Sequence, residues 1–157
     1  MKKIKILYYL FLLLIVTGCQ FAEPVDYILR NREEGWYAIV YDCDNGFEKR
    51  YENNRLQMLF PENRILVTSY PAKFGIVDHR FFYYEEGQKK EFFPPSSNKS
   101  NPDFLVFGPT EVNNTGFNKT IFYFGKDNYD ESEFDDFIYQ VDEFINENKL
   151  NCGGENN

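Results

Sequence analysis

Apolar and polar positions alternate in two different ways along this chain, and the change from one to the other divides it. Between residues 27 and 124 apolar residues fall in short runs, rich in β-branched and aromatic side chains and separated by turn residues. That texture predicts strands, over 27–29, 35–41, 47–51, 56–60, 65–68, 80–84, 89–93, 103–107 and 120–124. Asn45-Gly46 is the preferred pair for a type I′ turn, so 35–41 and 47–51 are expected to form a hairpin. Glu85-Glu86-Gly87-Gln88 predicts a second one, and 94–102 reads as a polar loop. Runs 35–41 and 121–124 are apolar on both faces, as expected where a helix covers one face and another sheet the other.

Further on the period becomes helical. Phe134, Phe137, Ile138, Val141, Phe144 and Ile145 form one stripe at helical spacing. Asp130 followed by Glu133 resembles a capping box, Glu131, Asp135 and Asp136 suit the positive end of the helix dipole, and Lys149 suits the other end. The fold class read from these patterns is mainly β, an antiparallel β-sandwich-like domain with one C-terminal amphipathic helix packed on it. Its parts are a leader over 1–18, a tether over 19–26, a single domain over 27–150 and a disordered tail over 151–157.

The leader carries the first chemical information. Lys2, Lys3 and Lys5 precede an apolar run over 6–16, which ends in Val16-Thr17-Gly18-Cys19. A charged start, a short apolar stretch and small residues describe an export signal, and the run is well short of the roughly 20 residues that span a bilayer. The ending resembles the lipobox of bacterial lipoproteins. That resemblance implies cleavage between Gly18 and Cys19 and attachment of diacylglycerol to the Cys19 thiol, with the mature protein on the cell envelope. Gln20, in place of Asp, favours the outer membrane if the host has two membranes. The short tether then keeps the domain within on the order of 20 Å of the bilayer.

Charge narrows the partners. Loss of residues 1–18 from a chain of 157 leaves 139 residues, enough for one domain with its own core. It also removes three of 17 basic residues and none of 25 acids, leaving a net charge of −11. So acidic a surface argues against nucleic acid and against electrostatic binding to anionic lipid. The bilayer, reached through acylated Cys19, is therefore the expected membrane contact. Lys89-Lys90, the nearest thing to a basic patch, sits among Glu85, Glu86 and Glu91. Two cysteines remain, Cys43 and Cys152. In an oxidising envelope they suggest a disulfide, with two free thiols as the alternative.

Candidate catalytic chemistry is sparse. The one histidine, His79, lies in Asp78-His79-Arg80 at a strand start with no serine motif to serve, and is expected to be a satisfied or exposed side chain. No phosphate-binding glycine loop occurs. Two cysteines and one histidine fall short of a structural zinc site. Asp127-Asn128-Tyr129-Asp130-Glu131 and Asp42-Cys43-Asp44-Asn45-Gly46 offer oxygen ligands but lack the calcium-loop pattern. No catalytic residue, metal or cofactor is assigned. The 17 Phe, 12 Tyr and single Trp are read mainly as core.

The segments 27–29 and 35–42, followed by Phe60-Pro61-Glu62-Asn63-Arg64-Ile65-Leu66-Val67-Thr68 and later by 80–84, resemble a family of small bacterial lipoproteins with no established activity. The resemblance implies a strand entered by Gly-aromatic and a proline-led turn into an apolar strand. Arg64 departs from it, standing where the family turn has glycine. The expectation is a non-catalytic envelope lipoprotein that binds a protein or glycan partner or is structural. The alternative is a carbohydrate-binding protein or a carboxylate-dependent hydrolase acting on envelope glycans.

Overall fold

The computed structural model describes residues 23–73, 78–92, 105–112, 117–125 and 130–153. Gly18, Cys19 and the rest of the leader lie outside the described residues, as do the 94–102 loop and 127–129. Among the described residues the chain forms β1 (Val25–Leu29), β2 (Gly35–Val40), β3 (Tyr51–Glu52), β4 (Arg55–Leu59), β5 (Ile65–Val67), β6 (His79–Glu85), β7 (Gln88–Phe92), β8 (Leu105–Val112), β9 (Lys119–Gly125) and one helix, α1 (Glu131–Glu147). The strands make two sheets, ordered β3-β4-β1-β6-β7 and β5-β2-β9-β8. No helix among the described residues is long and apolar enough to cross a membrane.

The expected sandwich with a helix on it is present, and strand alternation shows why. Tyr27, Leu29, Met58, Phe81 and Tyr83 from the five-stranded sheet meet Tyr37, Ile39, Phe122 and Phe124 from the four-stranded one in a continuous aromatic core. The intervening residues Trp36, Ala38, Val40, Ile121 and Tyr123 point the other way, against Phe137, Val141 and Ile145 of α1. The doubly apolar runs are thus the middle strands of the middle layer. Asp130 caps α1 by accepting from the Ser132 N–H, and Lys119 reaches from β9 to pair, fully buried, with Asp142 of α1. Lys149 does not lie in the last turn. It follows the helix with φ +50°, and Leu150 N–H donates to the Ile145 carbonyl, the bond of a Schellman stop.

Four expectations need correction. Pairing is mixed rather than antiparallel throughout: β1 runs parallel to both β4 and β6, and β2 parallel to β5. The chain changes sheet after β1, β2, β4, β5 and β7, so strands that follow such crossings can run alike; alternation reveals faces, not directions. The hairpin of 35–41 with 47–51 does not form. β2 is flanked by β9 and β5, and neither Asn45 nor Gly46 has the positive φ of a type I′ turn. Gly46 serves close approach instead, since a Cβ there would meet the Thr68 carbonyl carbon at 2.2 Å. The second expected hairpin does form, with Glu86 at φ +51° and Gly87 at +77° between Glu85 and Gln88.

The domain ends also move. β1 starts at Val25, inside the expected tether, because Asp26 is buried in an ion pair with Arg55 at 2.5 Å. Arg55 donates as well to Asp78 and to the Val25 and Asp78 carbonyls, so one guanidinium binds β4 and β1 to the residue that leads into β6. Residues 151–153, assigned to the tail, are fixed. Asn151 donates to Asp44, Gly153 N–H donates to the Asp42 carbonyl, and Cys152 is joined to Cys43 with an S–S distance of 2.12 Å. Residues 154–157 lie outside the described residues.

The bridge spans 109 residues and ties the end of α1 to the loop after β2. Replacing both cysteines, Cys43→Ser with Cys152→Ser, is expected to lower the unfolding free energy by about 5 kcal/mol in the chain-entropy limit. Urea denaturation of that variant beside the oxidised protein checks it, and coincident transitions would show that the bridge does not constrain the unfolded chain.

Candidate functional site

Of the crossings between the sheets, the two that lead from β1 to β2 and from β4 to β5 lie at the end of the molecule opposite the start of β1. Because β1 and β4 are parallel, as are β2 and β5, the crossing 30–34 and the crossing 60–64 run side by side. Backbone bonds lock the second to the strand that follows the first: Arg64 N–H donates to the Pro61 carbonyl, closing a turn, and Ala38 N–H donates to the Arg64 carbonyl. Between the crossings is a partly open hollow of about 290 Å³, lined by Arg30, Asn31, Glu33, Tyr37, Glu62 and Arg64 with Pro61.

Its polar groups are paired loosely. Arg30 Nη1 lies 3.2 Å from Glu62 Oε1, and Arg64 Nη2 lies 3.3 Å from Glu33 Oε2. Neither pair is a two-pronged fork, and the glutamate side chains are 86% and 50% exposed. Pairs of this kind contribute from nothing to about 1 kcal/mol. Asn31 Nδ2 donates to the other Glu33 oxygen, and the Tyr37 hydroxyl donates to the Glu33 carbonyl at 3.2 Å. Burial pushes the Tyr37 phenol up to about 12, so it stays a donor at neutral pH.

Arg64 is the unusual residue. Its φ is +64°, the left-handed region where any residue but glycine carries a cost of about 1–2 kcal/mol. Glu86 and Lys149 share that region, but both are exposed at a turn or a helix end. The Arg64 side chain instead lies over the Tyr37 ring, 5.5 Å from its centroid, and across Gly35. A Cβ at Gly35, whose φ is +139°, would fall 2.2 Å from Arg64 Nη1. Two neighbouring backbone conformations therefore serve the placement of one guanidinium, which also borders a second hollow, of about 430 Å³, beside Glu34, Trp36 and Glu133.

Other candidates take structural places. His79 Nδ1 lies 3.0 Å from the Tyr27 hydroxyl, its ring stacks on Tyr27, and burial holds it below the usual imidazole range. Glu23, the first described residue, is pulled down to about 2 by hydrogen bonds from Lys49 and Lys73, so the N-terminal end is clamped by ion pairs. Glu85 and Asp130 are likewise held low, by Lys90 and by Ser132. A general acid needs the opposite, a raised carboxyl. On the outer face of the five-stranded sheet Phe82 and Tyr84 point outward, yet the Lys89 ammonium sits 4.3 Å above the Phe82 ring. Among the described residues no three His, Cys, Asp or Glu side chains gather as metal ligands.

Residues 24–152 match the model of a family described as a family of unknown function, DUF6843. The chain belongs to the DUF6843 family. The DUF6843 domain thus covers both sheets, α1 and both bridged cysteines. No curated protein matches the sequence. Among solved structures the domain is similar to the 2.75 Å crystal structure of a "Putative Lipoprotein from Bacillus anthracis", with a TM-score of 0.55 and 14% identity over 79% of this chain and 96% of that one. At that identity the likeness concerns the fold. Of the residues lining the crossing hollow in this DUF6843 domain, sequence reasoning singled out only Arg64, as an arginine in a glycine position; Arg30, Glu33, Tyr37 and Glu62 carried no local signal.

Replacing Arg64 by glycine is expected to stabilise the domain by about 0.5–1 kcal/mol, relieving the left-handed backbone at the loss of a weak ion pair. Gly35→Ala is expected to cost about 2 kcal/mol or more, and visibly less when Arg64 is already glycine. Urea midpoints of the two single variants and the double variant check this. Additive effects would mean that the Gly35 and Arg64 positions do not touch.

Proposed function

We propose that this chain is a lipoprotein of the bacterial cell envelope, held at the membrane by an acylated Cys19 and acting as a non-catalytic binding module. The lipobox-like ending Val16-Thr17-Gly18-Cys19 carries the proposal. The name of the similar Bacillus anthracis protein agrees with it. The short tether supports a direction for the anchor. Only five residues separate Cys19 from Val25, where β1 enters the centre of the five-stranded sheet. The clamped end around Glu23 then faces the bilayer, and the crossing hollow faces away from it, toward a protein or glycan partner.

A binding role fits the site better than catalysis. Each carboxylate in the hollow is already engaged by an arginine, whereas a two-acid hydrolase needs one carboxyl kept protonated. Two acyl chains give effectively stable membrane attachment. The test is fractionation of cells producing the natural chain and Cys19→Ala: the natural chain is expected in the membrane fraction and labelled by radioactive palmitate, the variant unlabelled and soluble in the envelope. A Cys19→Ala protein that still sediments with membranes contradicts the anchor.

A further inference from the structure

The hollow between the crossings holds two guanidinium groups and two carboxylates around one space of about 290 Å³. Each existing pair is a single, water-exposed contact, the kind that a better-matched partner displaces. The effort spent on Arg64 is out of proportion to that contact. Its backbone is left-handed, and its guanidinium fills the space over Gly35, although a glycine at 64 would close the same turn without that strain. A guanidinium fork so placed matches a planar carboxylate.

The surroundings narrow the ligand further. A mature charge of −11, with Glu33 and Glu62 on the rim, disfavours phosphate esters and other polyanions. The same two glutamates suit a positive group next to the carboxylate. Sugar stacking has no platform here, because the Tyr37 ring is buried and Arg64 lies over it. The hollow is also at the small end of ligand pockets, which fits a compact group.

We propose that the hollow binds a small zwitterion of amino-acid or peptide-terminus chemistry, with its carboxylate on Arg64 and Arg30 and its ammonium on Glu33 or Glu62. This assignment deepens the binding-module reading and rests on it. The two sources of such a group, a free amino acid or the end of a short peptide, share the contacts.

Calorimetric titration of the acylated chain in detergent micelles tests it, with free glycine, glycylglycine, acetate and methylammonium as probes. Glycine or glycylglycine is expected to bind at least about tenfold more tightly than either half alone. Preference for the dipeptide would assign a peptide end, and preference for glycine a free amino acid. Arg64→Gly, checked for native circular dichroism, is expected to weaken that binding about tenfold or more, with Arg30→Gln as a second variant. No binding by either zwitterion, acetate binding as well as glycine, or unchanged affinity in a folded Arg64→Gly would overturn the assignment. None of these outcomes bears on anchoring, which the Cys19→Ala fractionation reads separately.

Discussion

β2 and β9 are apolar on both faces, and the rest of the molecule follows from the need to cover them twice. Tyr37, Ile39, Phe122 and Phe124 require one apolar layer and Trp36, Ala38, Val40, Ile121 and Tyr123 another. A strand pair of this kind cannot face water on either side. The five-stranded sheet supplies one cover and α1 the other. Buried charge fixes each in place: Arg55 ties β4, β1 and the start of β6 into one sheet on the far side, and Lys119 with Asp142 docks the helix. The Cys43–Cys152 bridge closes the helical layer beyond the end of α1.

Covering the middle sheet from a second sheet forces the chain to cross between them. Two crossings start from parallel neighbours, β1 and β4, and arrive at parallel neighbours, β2 and β5. They must lie together at one end, and the space between them is the hollow. Its residues sit on connections, yet the strands on both sides are among the most buried in the molecule. Loops held in this way give binding groups a rigid frame while leaving their tips in solvent. The chain enters β1 at the opposite end, so one strand length separates the proposed membrane face from the site.

Much of the fold was legible because burial writes itself into period. The doubly apolar runs 35–41 and 121–124 marked the middle layer, the helical stripe from Phe134 to Ile145 marked α1, and Glu86-Gly87 marked a hairpin that formed. What failed was partner and direction. Asn45-Gly46 has the composition of a hairpin turn, but the glycine there makes room for the Thr68 backbone, a tertiary contact with no local trace. Parallel pairing was invisible for the same reason. At the candidate site, Arg64 was legible only as a residue out of place in a proline-led turn. Arg30, Glu33 and Glu62 looked like ordinary solvated charge, because the pairing of two crossings 30 residues apart is a property of topology.

The proposed anchor sets the Glu23 end of the domain at the bilayer and the hollow away from it. The most direct measurement is the distance of each end from the membrane, by energy transfer from a dye on Glu62→Cys or on Asn53→Cys to acceptor lipids in vesicles bearing the acylated chain. These positions flank β4 at its far and near ends, parallel to β1. The site-end label is expected to lie farther from the bilayer by about 10 Å or more, one strand length at about 3.3 Å per residue. Equal distances, or a site-end label nearer the lipid, would contradict the orientation and with it the outward-facing site.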